Sequence, residues 1–514
     1  MFARQGWGNR GREYLTGTAP TDANMREEED IAALAKGGRT NIFGFLLRLA
    51  ARIPFLFIAG RIYGPDVLGR FAYAVLVVEF AAQLATMGLK RGLAGAMAQT
   101  KRPESHVVAD AMALTLVGSI LVALPLIFFP QAMFPNSGLN GLDRLLPLII
   151  LGVAGSDVAL SACAWRYDIG ATVRARAIIE PWTISIGAFL FSFYSLRDGL
   201  ILAYVASMVV ALLASLVPLA RHYGVPTGWR PAPLRLWRMA RRNMPLAAAD
   251  AVEWGSRRLD LAILGLFAAP AVVGVYYVAQ QVASLPQKLK TSFEPILGPV
   301  ITRNLQEHNY AAIARQVSQV GFWIIAAQAG IALALGIPGE AVMGLVGPHF
   351  VAGTGALAFL LAAEVAAATA VVSESALVYM ARHTNLLISL GMIAVQAALS
   401  FVLILAARAA GYGPFVIAAA PALALALALA INSFVKARVL SRLLRQRITT
   451  WRFALVLAAF VGVIVGSFFV SLPRSQEWVE LVLGVPAILC AYGAVIWRFG
   501  FGVDDRALFR RKMG

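Results

Sequence analysis

Charge is scarce in this chain of 514 residues. Asp, Glu, Lys and Arg make up 14% of it, against about a quarter in soluble proteins. With 59% hydrophobic residues beside so little charge, a soluble enzyme and a disordered chain are both excluded. Cysteine is almost missing as well. Cys163 and Cys490 both sit in apolar runs, which excludes a disulfide framework and any CxxC metal or redox motif. The five histidines (His106, His222, His308, His349 and His383) fall near loops, and no Ser/His/Asp or metal constellation can be assembled from them. No G-x-x-x-x-G-K-[ST] loop occurs, so the chain does not hydrolyse nucleotide by itself.

What is present is a succession of long apolar runs. A spanning helix needs about 20 mostly apolar residues. The sequence predicts an all-α integral membrane protein of about fourteen transmembrane helices. The first six spans fall near 42–62, 67–89, 107–130, 145–164, 177–194 and 199–220. A second set lies near 244–267, 271–292, 318–337, 352–380, 385–407 and 414–435, and two more near 452–472 and 478–498. The expected organisation is a polar tail (1–41), an N-lobe of six helices (42–220) and a basic inter-lobe loop (221–243). A C-lobe of six helices (244–435), a basic loop (436–451), a helix pair (452–498) and a second tail (499–514) follow. No apolar stretch precedes residue 42, so no cleavable signal peptide is expected, and Glu27 to Ala35 reads as a short amphipathic surface helix.

A formal net charge of +18 would suggest nucleic acid in a soluble protein. Its distribution says otherwise. With the N-terminus placed in the cytoplasm, 34 of the 45 Lys and Arg residues fall in loops and tails on that side and 5 on the other. Such asymmetry is the positive-inside pattern; it predicts cytoplasmic termini and removes nucleic acid as a partner. Six basic residues remain within spans: Arg48, Arg52, Arg61, Arg257, Arg258 and Lys288.

Shifting the chain by 205 residues lays the second set of helices on the first. Arg52 meets Arg257, Gly60 meets Gly265, Pro65 meets Pro270, Gly69 meets Gly274 and Ala74 meets Ala279. Both copies start on the same side of the membrane, so they are parallel repeats, an arrangement that places a substrate site between two lobes and suits alternating access.

An ionisable group at the bilayer centre costs about 2.5–3.5 kcal/mol on insertion scales, so each one must face protein or water. Arg48 and Arg52, four apart, share a helix face, while Arg61 is placed to snorkel. Asp250, Glu253, Arg257 and Asp260 follow i, i+3, i+7, i+10 and form one stripe on a 3.6-residue helix, with Arg258 beside it. Lys288, with Gln280 and Gln281, faces the same cavity, and Glu79 and Gln83 are the repeat-side counterparts. The expected substrate-binding set is Arg48, Arg52, Arg257, Arg258 and Lys288, a cationic wall for an anionic group, because guanidinium matches phosphate with two parallel hydrogen bonds. Asp250, Glu253, Asp260 and Glu79 are the expected ion-coupling groups, for proton or sodium; no other cofactor and no metal site is expected. Glu180, Glu294, Glu364 and Glu374 lie near span ends or beside prolines and are expected to be structural, as are the small-residue pairs Gly60/Gly64 and Gly88/Gly92.

Three pieces, "GRIYGPDVLGRFAYA", "MGLKRGL" and "SRRLDLAILGLFAAPAVVGVYYVAQQV", and more weakly "ESALVYMARHTNLLI", resemble the polysaccharide-biosynthesis (Wzx-type) flippases of the multidrug/oligosaccharidyl-lipid/polysaccharide exporter superfamily. The resemblance implies two six-helix lobes around a cationic cavity, moving an undecaprenyl-diphosphate-linked oligosaccharide from the cytoplasmic to the periplasmic leaflet of a bacterial inner membrane. It implies the lipid-linked glycan and the bilayer as partners, with a polysaccharide polymerase and chain-length machinery nearby. Many members have twelve helices, while lipid II flippases of the superfamily have fourteen, as expected here. A multidrug/cation antiporter or a lipid II flippase of the same superfamily is the alternative within transport. From another class, an integral-membrane glycan enzyme is disfavoured by short outward loops, the longest near 131–143 and 338–351.

Overall fold

A computed structural model of the protein describes residues 53–290, 301, 304–305, 307–470 and 477–502. It is 86% helical, with no strand among the described residues. Ten helical segments there are long and apolar enough to cross a bilayer, against the fourteen expected. The difference has a physical origin. Segment 53–98 counts once although a glycine divides it, and 169–192, 233–267 and 270–290 carry the charged and amide residues that lower apolar content.

The N-lobe comprises α1 (53–63), α2 (Gly64–Ala85), α3 (Leu89–Ala98), α4 (Glu104–Phe128), α5 (Ile149–Trp165), α6 (169–192) and α7 (Gly199–Tyr223). Between α1 and α2 the chain turns at Gly64, whose φ of +79° only glycine adopts without strain, and Pro65 starts the next helix. Gly64 therefore serves the turn, and nothing lies within 4 Å of where its Cβ would stand, so of the Gly60/Gly64 pair only Gly60 makes a close packing contact, against Val346.

The second repeat begins earlier than its apolar run. Helix α8 (Pro233–Ser256) takes up much of the expected basic loop and is followed by α9 (Leu259–Phe267) and α10 (Pro270–Lys290). Then come α11 (Tyr310–Gly336), α12 (Gly339–Val346), α13 (Thr354–Met380), α14 (Arg382–Ala409) and α15 (Pro414–Leu444). Helices α16 (Phe453–Val470) and α17 (477–500) complete the described chain.

The repeat is visible as a reciprocal contact. A Cβ on Gly69 would strike the Pro270 carbonyl, and one on Gly274 would strike the Pro65 carbonyl. Residues matched by the 205-residue shift thus exchange partners across the α2–α10 crossing, the signature of a local pseudo-two-fold axis. The surrounding loops behave alike. Arg61 donates to the Leu345 carbonyl at the end of α12 (3.0 Å), and Asn136 donates to the Gly265 carbonyl (2.8 Å), so the end of α1 is held by the second lobe and the end of α9 by the first.

One core spans both lobes at this end, with Leu68, Phe71 and Val75 packed among Leu261, Tyr276 and Leu357. At the other end, where the loops are rich in Arg, the core divides. Leu89, Leu93, Val108 and Ala159 cluster in the N-lobe with Ala240 of α8, and Ile313, Phe322, Leu440, Leu455 and Ile496 cluster in the C-lobe.

Candidate functional site

A cavity of about 800 Å³ lies within the C-lobe, and every residue lining it falls between 252 and 436. It is walled by α8, α9, α10, α13, α14 and α15. Along α13 it runs from Leu360 to Tyr379, which at 1.5 Å per residue is about 28 Å. Its polar groups come from three places.

The first is the α8–α9 junction. Gly255 and Ser256 are weak helix formers, Arg257 and Arg258 close 3₁₀-type turns onto the Trp254 and Gly255 carbonyls, and Arg258 leaves helical geometry at φ −126°, ψ 3°. This break scatters the expected stripe. Asp250 is buried and paired with the Arg91 guanidinium of α3 at 2.9 Å. Glu253 lies between Arg91 (2.5 Å) and Arg257 (2.9 Å). Asp260, fully buried at the start of α9, accepts hydrogen bonds from the Tyr276 hydroxyl (2.5 Å) and the Gln280 amide (3.1 Å) of α10. Arg257 and Arg258 remain on the cavity wall, with Arg258 3.8 Å from Glu79 of α2 and over the Trp254 ring.

The second is the Arg-rich end of the C-lobe, where Lys436 is 1% exposed and donates to Glu374 (2.9 Å) and Ser389 (3.1 Å). Counting by apolar runs places Lys436 in a loop. Instead α15 continues to Leu444, so the ammonium stands inside the bundle. Glu364 and Glu374, expected to be structural, both line the cavity. Glu180 pairs with Arg176 (2.7 Å) in the N-lobe, away from it.

The third is a set of amides: Gln280, Gln281, Gln287, Gln396 and Asn432. Gln396 and Asn432 lie on α14 and α15, whose apolar sequence gives no hint of a cavity; only a polar residue recurring at each helix's mid-depth marks them.

Of the expected binding set, the structure brings Arg257 and Arg258 to the cavity. Arg48 and Arg52 lie outside the described residues, as does the side chain of Lys288. Asp260 and Glu253 line the cavity, whereas Asp250 and Glu79 do not. Glu79 accepts the Tyr204 hydroxyl at 2.8 Å inside the N-lobe. Among the described lining residues, the three cations each have a carboxylate nearby and four carboxylates line the wall, so it is mixed in charge and not the uniformly cationic surface expected.

Two repeat-related helical lobes joined through α2 and α10, with long apolar helices and a polar cavity within the second lobe, define a membrane transporter. The model of the family "Polysaccharide biosynthesis protein" matches residues 58–332, more than half of the chain, and the chain belongs to that family. No curated protein matches it. Among solved structures it is similar to "Lipid II flippase MurJ, inward closed conformation", at a TM-score of 0.67 and 12% identity, over 90% of this chain and 99% of that one. It is also similar to an inward-facing multidrug resistance MATE family transporter of the MOP superfamily, at a TM-score of 0.59 and 13% identity, over 78% of this chain and 99% of that one. At such identities these likenesses establish the fold.

Proposed function

We propose that the protein flips an undecaprenyl-diphosphate-linked oligosaccharide from the cytoplasmic to the periplasmic leaflet by alternating access, for O-antigen, capsule or exopolysaccharide synthesis. The observation that carries this reading is the pair Arg257–Arg258 on the cavity wall of a chain belonging to a polysaccharide-biosynthesis family. At the helix break both guanidiniums are within reach of a diphosphate, which exchanges the Glu253 contact for two stronger forked ones. Arg48, Arg52 and Lys288 complete the anion-binding set in this proposal.

Asp260 is the coupling residue proposed here. It is fully buried, off the Arg91 network, and held by Tyr276 and Gln280, groups that can solvate a carboxylate through gain and loss of a proton or sodium ion. Asp250 and Glu253 serve a different purpose. Through Arg91 they tie α8 to the N-lobe at the Arg-rich end, the end assigned to the cytoplasm by the charge asymmetry.

Arg257→Ala and Arg52→Ala are expected to abolish glycan export while the protein still inserts, measured as lipid-linked glycan accumulating at the inner leaflet. Normal export by both variants overturns the assignment. One observation favours a cation antiporter instead: Glu253, Asp260, Glu364 and Glu374 all line the cavity. Efflux of an organic cation by the reconstituted protein, without glycolipid movement, is the result that would select that reading.

A further inference from the structure

Helix α8 has two opposite faces. Ala240, Asn243, Ala247 and Asp250 are buried at i, i+3, i+7 and i+10. They lie against the N-lobe, where Ala240 joins the cluster of Leu93 and a Cβ on Gly88 or Gly92 of α3 would strike Asn243. The other face is open. Leu234 is 67% exposed and Trp237 63%, and Arg238 and Arg241 beside them are exposed as well. Leu234, Trp237, Arg238 and Arg241 follow i, i+3, i+4 and i+7, one stripe along the helix. Neither Arg238 nor Arg241 has a partner among the described residues, whereas Arg242 donates to Gln99 and Arg235 pairs with Asp110 (3.3 Å).

The orientation of this stripe is fixed. Asp110 of α4 is 1% exposed and accepts from the Trp229 indole (2.8 Å) and from Arg102 (2.7 Å) as well as facing Arg235. The chain entering α8 is thereby fastened to the N-lobe. Charge then stops abruptly: no charged residue occurs from Asn243 to Ala249, and the open face continues in Met244, Pro245 and Ala248. A Trp at the end of an apolar face, with arginines beside it, is the pattern of a bilayer interface. Water would leave the indole and Leu234 bare, and hydrocarbon would strand two unpaired guanidiniums. A layer of lipid phosphates suits both, with the rings and methylenes below and the guanidiniums reaching outward.

We infer that this face of α8 is a docking surface for anionic phospholipid headgroups, in the leaflet at the Arg-rich end of the molecule. Arg238 and Arg241 take the phosphate, while Trp237 and Leu234 lie against the glycerol and first methylenes. An anionic lipid is favoured over a zwitterionic one, because the headgroup supplies the charge that no carboxylate among the described residues gives these two arginines. None of the four residues lines the C-lobe cavity, and the inference holds whatever cargo the chain moves.

The test places the full chain in vesicles of phosphatidylglycerol and phosphatidylcholine, one or the other bearing brominated acyl chains that quench a nearby indole. The part of the quenching lost in Trp237→Phe reports this site alone among the ten tryptophans. That part is expected to show phosphatidylglycerol favoured about five- to thirtyfold, the attraction of one to two basic side chains to an anionic surface. The double variant Arg238→Gln, Arg241→Gln is expected to lose the preference and to melt as the wild type does, since neither guanidinium has a partner to lose. Arg445→Gln with Arg447→Gln removes the same charge from the exposed turn after α15 and is expected to keep the preference.

Equal quenching by the two lipids, or none by either, overturns the inference. So does a preference that survives in the α8 variant, or one lost equally in the Arg445 and Arg447 variant. In the wild type alone the preference is expected to fall as salt is raised, because surface charges are screened, and indifference to salt overturns it. Undecaprenyl diphosphate that displaces the brominated lipid at a lower mole fraction than plain phosphatidylglycerol does assigns the stripe to an isoprenoid diphosphate, which also overturns it.

Discussion

The two lobes start from one pattern and put their buried charge to different uses. In the N-lobe, Arg176 is 13% exposed and gripped by Asp157 (2.5 Å) and Glu180 (2.7 Å), with Lys90 closing on Asp157 from the next helix. Arg70, buried at the other end, holds Asp143 at 2.5 Å and stacks over Phe134, fastening the loop before α5. These charges face one another. In the C-lobe the corresponding depth is a cavity, and the charges stand around it in pairs that a ligand can reach. A buried ion pair contributes little net stability but is costly to break. The N-lobe is therefore fixed by its charges, and the C-lobe is left free to exchange partners.

The sharpest way to break this comparison is to remove one member of a charge pair from each lobe. Asp157→Ala leaves the partly buried Arg176 with Glu180 alone and Lys90 without its partner, and is expected to cost about 2–3 kcal/mol, seen as loss of folded protein by melting in detergent. Arg257→Ala, whose pair with Glu253 is half exposed, is expected to cost less than about 1 kcal/mol while removing transport. Similar melting losses in the two variants would end the distinction between lobes. Next in size is the crossing where the lobes meet. Gly274→Ala and Gly69→Ala each drive a methyl into a partner carbonyl and are expected to cost about 1–3 kcal/mol, by matching amounts. An unequal pair of melting shifts would show that the axis is not respected there.

A smaller structural effect is expected from Asp260→Asn. Asparagine can still accept from Tyr276, so melting should change by less than about 2 kcal/mol, while transport stops responding to an imposed proton or sodium gradient. A retained response assigns coupling elsewhere. The smallest effect belongs to the Arg-rich face of the N-lobe. Burial raises the Asp168 carboxyl, but the hydrogen bond from His222, the Ala171 N–H and the charge of Arg174 outweigh it and hold the group below the ordinary carboxylate range. A depressed folded-state value contributes stability present above the unfolded value near 3.9 and lost as pH falls through the folded one. Asp168→Asn is expected to cost under about 1 kcal/mol at pH 7, with the deficit shrinking progressively in melts taken below about pH 4. A deficit that persists in acid shows that the pair contributes nothing.

Much of the architecture is legible in the letters, because lipid demands apolar runs and the basic residues sort to one side. The 205-residue shift named Pro65, Pro270, Gly69 and Gly274 before any contact was known, since a turn and a close backbone approach each restrict the residue type. The cavity was less legible. Periodicity assumes an unbroken helix, and the break at Arg257–Arg258 sends Asp250 to Arg91 and Asp260 to Tyr276. Hydropathy ends a span where charge begins, so it assigned Lys436 to water although α15 carries it into the bundle. Gln396 and Asn432 escaped because an amide between alanines and leucines changes an average very little.

The crossing of α2 and α10 bears on how the chain came to diverge. Where two copies of a duplicated segment touch different neighbours, each can drift alone. Where they touch each other through backbone, a change in one is felt by both, and the same few residues are retained twice. The stretch in which the duplication can still be read is the stretch in which the duplicates meet; elsewhere the halves became free to specialise, one as a braced frame and the other as a vessel.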